Sequence, residues 1–170
     1  MYLFSFRDRY EGYFKHGVSD GYGTLFWNDG SRYSGQFKGG VKEGEGTMFY
    51  SNGDIFVGHW EGEEKSGEGE YMFTEGTGRY TGTFSEGVQS GSGQYRDEGT
   101  SFVGQYEEGH RANGEMDLIN GDTYSGEFGG GLNTYSGSGI YRWVCGKTYK
   151  GQFVNGLPSG NGKMAQDDWR

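Results

Sequence analysis

From Tyr10 onward, large and small side chains alternate along the chain. Tyr10, Gly12 and Phe14 share one parity, and Glu11, Tyr13 and Lys15 hold the other. Period-two alternation predicts a strand. With Tyr10 as column 0, glycines follow in columns 2, 7, 11, 13 and 20 (Gly12, Gly17, Gly21, Gly23, Gly30), and Phe14 takes column 4. Tyr33 restarts the series 23 residues later with Gly35, Phe37, Gly40, Gly44, Gly46 and Gly53. A fixed period of this length marks a repeat architecture.

Further copies start at Phe56, Tyr80, Phe102, Tyr124 and Tyr149, with wear. Glu63 replaces the column 7 glycine in one copy. Asn113 fills column 11 in another, a residue type that tolerates positive φ. Two extra residues precede Gly137. Residues 1–9 fit the second half of a preceding copy, with Tyr2, Leu3 and Phe4 in columns 15 to 17. The expected organisation is one array over 1–170: a half repeat at 1–9, then repeats starting at 10, 33, 56, 80, 102, 124 and 149. Such a start is expected of a fragment that begins mid-array.

Columns 13 to 17 alternate as a second strand, with Leu25 and Trp27, Met48 and Tyr50, and Tyr71 and Phe73 in columns 15 and 17. The glycines in columns 7, 11 and 13 are expected to form the turn between the strands: Gly17, Gly21 and Gly23, then Gly40, Gly44 and Gly46. Asn28-Asp29-Gly30, Ser51-Asn52-Gly53 and Ile119-Asn120-Gly121 signal turns between repeats. Each repeat is thus a β-hairpin, and the hairpins chain into a meander. The column 2 glycine leaves room for a neighbouring ring. A single hairpin buries too little to fold alone, so neighbours must stack.

The pattern Y-x-G-x-(F/W/Y)-x-x-G-x-x-x-G-x-G resembles the MORN repeat family (membrane occupation and recognition nexus), over residues 10–170. The resemblance implies an all-β fold, an elongated single-layer antiparallel sheet of tandem β-hairpins with a groove. It also implies a scaffold that binds proteins in cytoskeletal, ciliary or membrane-associated assemblies. Two alternatives come with the family: a phosphoinositide- or membrane-binding module, and the regulatory region of a larger enzyme.

Composition supports the β reading. The chain holds 37 glycines, 14 tyrosines, 12 phenylalanines and one proline. Glycines this dense break any long helix, at about 1 kcal/mol each, and the aromatics argue against disorder. Net charge is −9, distributed as −1 over residues 1–55, −10 over 56–124 and +2 over 125–170. An acidic middle excludes nucleic acid, which needs clustered Lys and Arg. It disfavours an anionic lipid surface and suits a basic partner segment. Cys145 is the only cysteine, so no internal disulfide forms, and it reads as a small buried apolar side chain. No apolar run approaches the ~20 residues of a membrane span, and the N-terminus is too charged for a signal peptide. The expected location is the cytoplasm, in association with the cytoskeleton or a cilium.

Candidate chemistry is thin. Gly17-Val18-Ser19-Asp20-Gly21 fits a nucleophile elbow, but that turn joins a strand to a helix. The same loop recurs at Gly87–Gly91 and Gly156–Gly160 without a central serine. Gly146-Lys147-Thr148 lacks the earlier glycine of a phosphate loop, Tyr141 standing there instead. His16, His59 and His110 share no spacing. No catalytic site, metal or cofactor is expected.

Two surfaces are candidates for binding. If the sheet curls, Tyr10, Phe14, Trp27, Tyr33, Phe37, Tyr50 and Trp60 line a groove suited to a partner helix or strand. Column 16, pointing the other way, carries Leu3, Phe26, Phe49 and Met72, then turns polar at Arg96, Asp117 and Arg142. Either a partner covers this outer apolar stripe, or it packs within the chain and the two faces are reversed. Exposed terminal strands also favour self-association into a homodimer.

Overall fold

The computed structural model describes residues 8–74, 78–129 and 134–166. Fourteen strands run in chain order, antiparallel to their sequence neighbours within each unit, and no helix occurs among the described residues. They belong to two compact units, Met1–Val88 and Gln89–Arg170. The first contains β1 (Arg9–Lys15), β2 (Val18–Phe26), β3 (Arg32–Lys38), β4 (Val41–Phe49), β5 (Ile55–Glu61), β6 (Glu64–Met72) and β7 (Arg79–Ser85). The second contains β8 (Val88–Arg96), β9 (Ser101–Glu107), β10 (His110–Asp117), β11 (Thr123–Phe128), β12 (Tyr135–Arg142), β13 (Lys147–Val154) and β14 (Leu157–Gln166).

The hairpin turn is tighter than the glycine spacing suggests. His16 (φ 52°) and Gly17 (φ 83°) alone join β1 to β2. Two consecutive positive φ values are the type I′ signature, whose twist matches that of the strands. Gly40 takes the equivalent place after Gly39. In the copy that lost its column 7 glycine, only the first central residue, Gly62, keeps a positive φ, at 63°. Glycine at the first central position is the type II′ solution, and it leaves Glu63 in the turn.

The column 11 and 13 glycines lie in strands, not in the turn. Gly12 faces Gly23 and Phe14 faces Ser19, so Tyr13 alone lies opposite Asp20, Gly21 and Tyr22. Gly21 (φ 99°) absorbs this bulge, and Gly44 does the same in β4. In β10 only Ala112 is extra, and Asn113 has no need of a left-handed φ and does not adopt one. Gly23 and Gly46, expected in the turn, sit mid-strand opposite Gly12 and Gly35. Their role is steric. The column 0 ring lies over each cross-strand glycine pair: a Cβ on Gly35 would stand 2.5 Å from the Tyr33 hydroxyl and 2.5 Å from the Gly46 Cα. The second strand therefore starts at Val18, well before Gly23.

The hydroxyl of each column 0 tyrosine then donates to the carbonyl three residues on. Tyr33 reaches Gln36 at 3.1 Å, Tyr124 reaches Glu127 at 2.7 Å and Tyr149 reaches Gln152 at 3.2 Å. Between repeats, buried aspartates latch one turn to the next. Asp54 accepts from the Tyr71 hydroxyl (2.8 Å), the Thr74 N–H (2.8 Å) and the Asn52 amide (2.9 Å). Asp122 repeats the set with Tyr141 (2.7 Å), Val144 (2.8 Å) and Asn120 (2.8 Å). Cys145 is exposed beside this turn, not buried, because it lies in the loop after β12.

Candidate functional site

One face of each unit is a ladder of rings. Columns 0 and 4 meet edge to face both within a copy and across copies: Tyr10–Phe14 at 5.1 Å, Tyr10–Phe37 at 5.0 Å, Tyr33–Phe37 at 5.2 Å, Tyr33–Trp60 at 5.4 Å. The second unit does likewise with Phe102–Phe128 and Tyr124–Phe153, both at 5.2 Å. Such pairs contribute about 0.5–1.5 kcal/mol each beyond area burial.

The structure thus places the seven groove candidates on one face, but they are not equally available. Tyr33, Phe37 and Trp60 are 0%, 5% and 2% exposed. These three cover one another and offer a partner almost no surface. Tyr10, Trp27 and Tyr50 are half-buried, and Phe14 is 60% exposed because no earlier ring stacks on it among the described residues.

Column 9 on this face was not anticipated. Because the turn takes only two residues, column 9 falls inside the second strand and points at the rings. Lys42 is buried there, its Nζ 4.2 Å from the Trp60 ring and 2.9 Å from Glu63. Lys65 Nζ lies 5.2 Å from the Tyr71 ring and 5.8 Å from Phe56, and burial, then Lys42, pushes its pKa down. Arg111 lies 4.8 Å from Phe102. The signal was a cation in column 9 of three copies, and it can be read only once the turn length is known. Burial likewise raises the phenol of Tyr33.

The opposite face differs between the units. In the first, Arg9, Phe26, Arg32, Phe49, Ile55, Met72 and Arg79 pair from strand to strand in one row. The Arg9 guanidinium lies 4.4 Å from the Phe26 ring centre, and that of Arg32 lies 4.1 Å from Phe49. Phe26, Phe49, Ile55 and Met72 are all half-exposed. The stripe residues Phe26, Phe49 and Met72 therefore lie opposite the ring ladder; Leu3 lies outside the described residues. In the second unit the same row reads Arg96, Ser101, Asp117, Thr123, Arg142, Thr148 and Ala165.

The remaining chemical candidates are dispersed. Ser19 is buried in β2 opposite Phe14, with a hairpin rather than a helix beside it. His16 is in a turn, His59 bonds Glu45 at 3.1 Å, and His110 opens β10. Lys147 opens strand β13 directly after Gly146. Among the described residues no three His, Cys, Asp or Glu side chains gather as a metal site would require.

Comparison with solved structures finds the SAS-4 (dCPAP) TCP domain of Drosophila melanogaster, solved with a proline-rich motif of Ana2 (dSTIL). It is 14% identical at a TM-score of 0.48, over 86% of this chain and 84% of that one. The TCP10 domain of Danio rerio CPAP, solved with a peptide of Danio rerio STIL, is 11% identical at a TM-score of 0.49, over 84% and 63%. No curated protein sequence matches. The MORN repeat model matches residues 10–32, 33–55, 80–99 and 149–169, just over half of the chain. With its glycine pairs under tyrosine rings, the chain belongs to the MORN repeat family.

Proposed function

We propose that this chain is a non-catalytic scaffold that binds partner proteins through the outer face of its first unit. The observation behind this reading is the half-exposed row of Phe26, Phe49, Ile55 and Met72. The buried rings on the other face serve the fold. Apolar groups recurring on neighbouring strands form a contiguous patch of the kind that partners cover. The half-buried Tyr10, Trp27 and Tyr50, with Phe14, give the aromatic face a smaller, secondary contact. The net charge of −9 disfavours anionic membranes as the target. We read the chain as one array of repeats, and we infer from the family resemblance a role in cytoplasmic assemblies of the cytoskeleton or cilium.

The test pairs the wild type with Phe26→Thr/Phe49→Thr in affinity capture from cell extract. Threonine is what the second unit carries in this row at Thr123 and Thr148. The variant is expected to fold and to lose proteins that the wild type retains. Retention of the same set would refute the reading.

A further inference from the structure

Three arginines stand in the outer row of the first unit, and two have carboxylate partners. Arg9 pairs with Glu11, two residues on in its own strand, at 3.4 Å. Arg79 pairs with Glu70, diagonally across the neighbouring strand, at 3.0 Å. Around Arg32 every equivalent position is a hydroxyl. Ser34 is two residues on, and Thr24 and Thr47 are the diagonal neighbours on β2 and β4. Among the described residues Arg32 has no carboxylate within ion-pair distance.

The six residues of this block enclose an open recess of about 390 Å³, lined by Thr24, Phe26, Arg32, Ser34, Thr47 and Phe49. Thr24 and Ser34 hydroxyls lie 3.1 Å apart and face the same side. A guanidinium flanked by two rings and backed by hydroxyls suits one ligand group above others, a planar carboxylate held by two parallel N–H bonds. From Arg32 the row continues as Phe49, Ile55 and Met72 with no charge between.

We propose that this row docks an amphipathic helix laid across the strands, with an Asp or Glu of the helix on Arg32 and its apolar stripe on Phe49, Ile55 and Met72. Neighbouring strands are about 4.8 Å apart, and a helix advances about 5.4 Å per turn. Successive turns therefore fall on successive strands. The carboxylate at position i meets Arg32, and apolar residues at i+4, i+7 and i+11 meet Phe49, Ile55 and Met72 in turn. The partner is thus acidic at one end of its stripe, although the net charge of the chain alone favours a basic one. This inference rests on the outer face being the binding surface, and adds the anchor.

The test is selection of a phage-displayed library of helical peptides, with every position of one stripe randomised, on the full chain. The selected peptides are expected to share one Asp or Glu followed by apolar residues at i+4, i+7 and i+11. Arg32→Ala should weaken them tenfold or more, and Arg32→Glu should select Lys or Arg at the same position. Peptides that are insensitive to Arg32→Ala but lost by Phe26→Thr/Phe49→Thr would overturn the anchor and leave the face. Peptides that bind Phe26→Thr/Phe49→Thr as well as wild type, or no selected peptides at all, would overturn both. Binding to vesicles of anionic lipid that is lost with Arg32→Ala would assign the arginine to a membrane and overturn the proposal.

Discussion

The two units share one face and differ in the other. Both stack column 0 and column 4 rings edge to face, and both seat those rings on glycine pairs: Tyr33 over Gly35 and Gly46, Tyr149 over Gly151 and Gly162. Both latch a turn with a buried aspartate, Asp54 in one and Asp122 in the other. On the opposite face the first unit sets three arginines among large apolar groups, whereas the second places Ser101, Asp117 and Thr123. A face that must be apolar for folding would be apolar in every copy. The variation separates what the repeat needs to fold from what the first unit carries in addition.

The largest effects should come where the units agree. Gly35→Val and Gly151→Val each drive a side chain into a tyrosine ring and the facing glycine Cα, the latter at 2.5 Å and 2.7 Å. Overpacking of this kind costs about 1–3 kcal/mol, more when backbone must move. Urea unfolding should show losses at or above that range for both variants. A loss confined to one unit would break the comparison.

Next come the latches. Asp54→Ala and Asp122→Ala should each destabilise by about 1–3 kcal/mol, the worth of the lost hydrogen bonds to a charged group. The Asp122 carboxyl is held below the usual carboxylate range by the Tyr141 hydroxyl first, then by the Val144 N–H, with burial opposing. A depressed folded pKa contributes stability above the unfolded value of about 3.9, and that contribution is lost as pH falls through the folded pKa. The gap between wild type and Asp122→Ala should therefore be full at pH 7 and close toward pH 2. A gap that widened with acid would reverse the assignment.

The smallest effect is a transplant. Ser101→Arg with Asp117→Phe would build one arginine–ring step on the second unit. It should add no more than about 0.5–1 kcal/mol, the worth of an exposed cation–π contact. A large gain in stability would mean that the outer row is structural after all.

Much of this was legible in the chain. The 23-residue period, the hairpin per repeat and the separation of Phe26 from Leu25 onto opposite faces follow from alternation and from glycine spacing. The turn was misplaced because glycine serves three purposes here. Gly17 turns the chain, Gly21 relieves a bulge and Gly23 clears a ring, yet in sequence the three are one residue type. That error hid column 9, since Lys42 and Arg111 read as loop residues until the turn shrinks to two residues. The groove was overdrawn for a different reason. Periodicity tells which rings share a face but not that Tyr33 and Trp60 bury each other. Arg32 stood out only when the registers of β2, β3 and β4 showed what its neighbours lacked.

The central claim is that the ring face holds the fold while the outer row of the first unit is free for a partner. The urea unfolding free energy of Phe26→Thr/Phe49→Thr tests it most directly. We predict a loss of no more than about 2 kcal/mol, from two half-exposed cation–π contacts and their area, with the folded spectrum unchanged. A loss as large as that of Gly35→Val, or an unfolded chain, would show that the row is core.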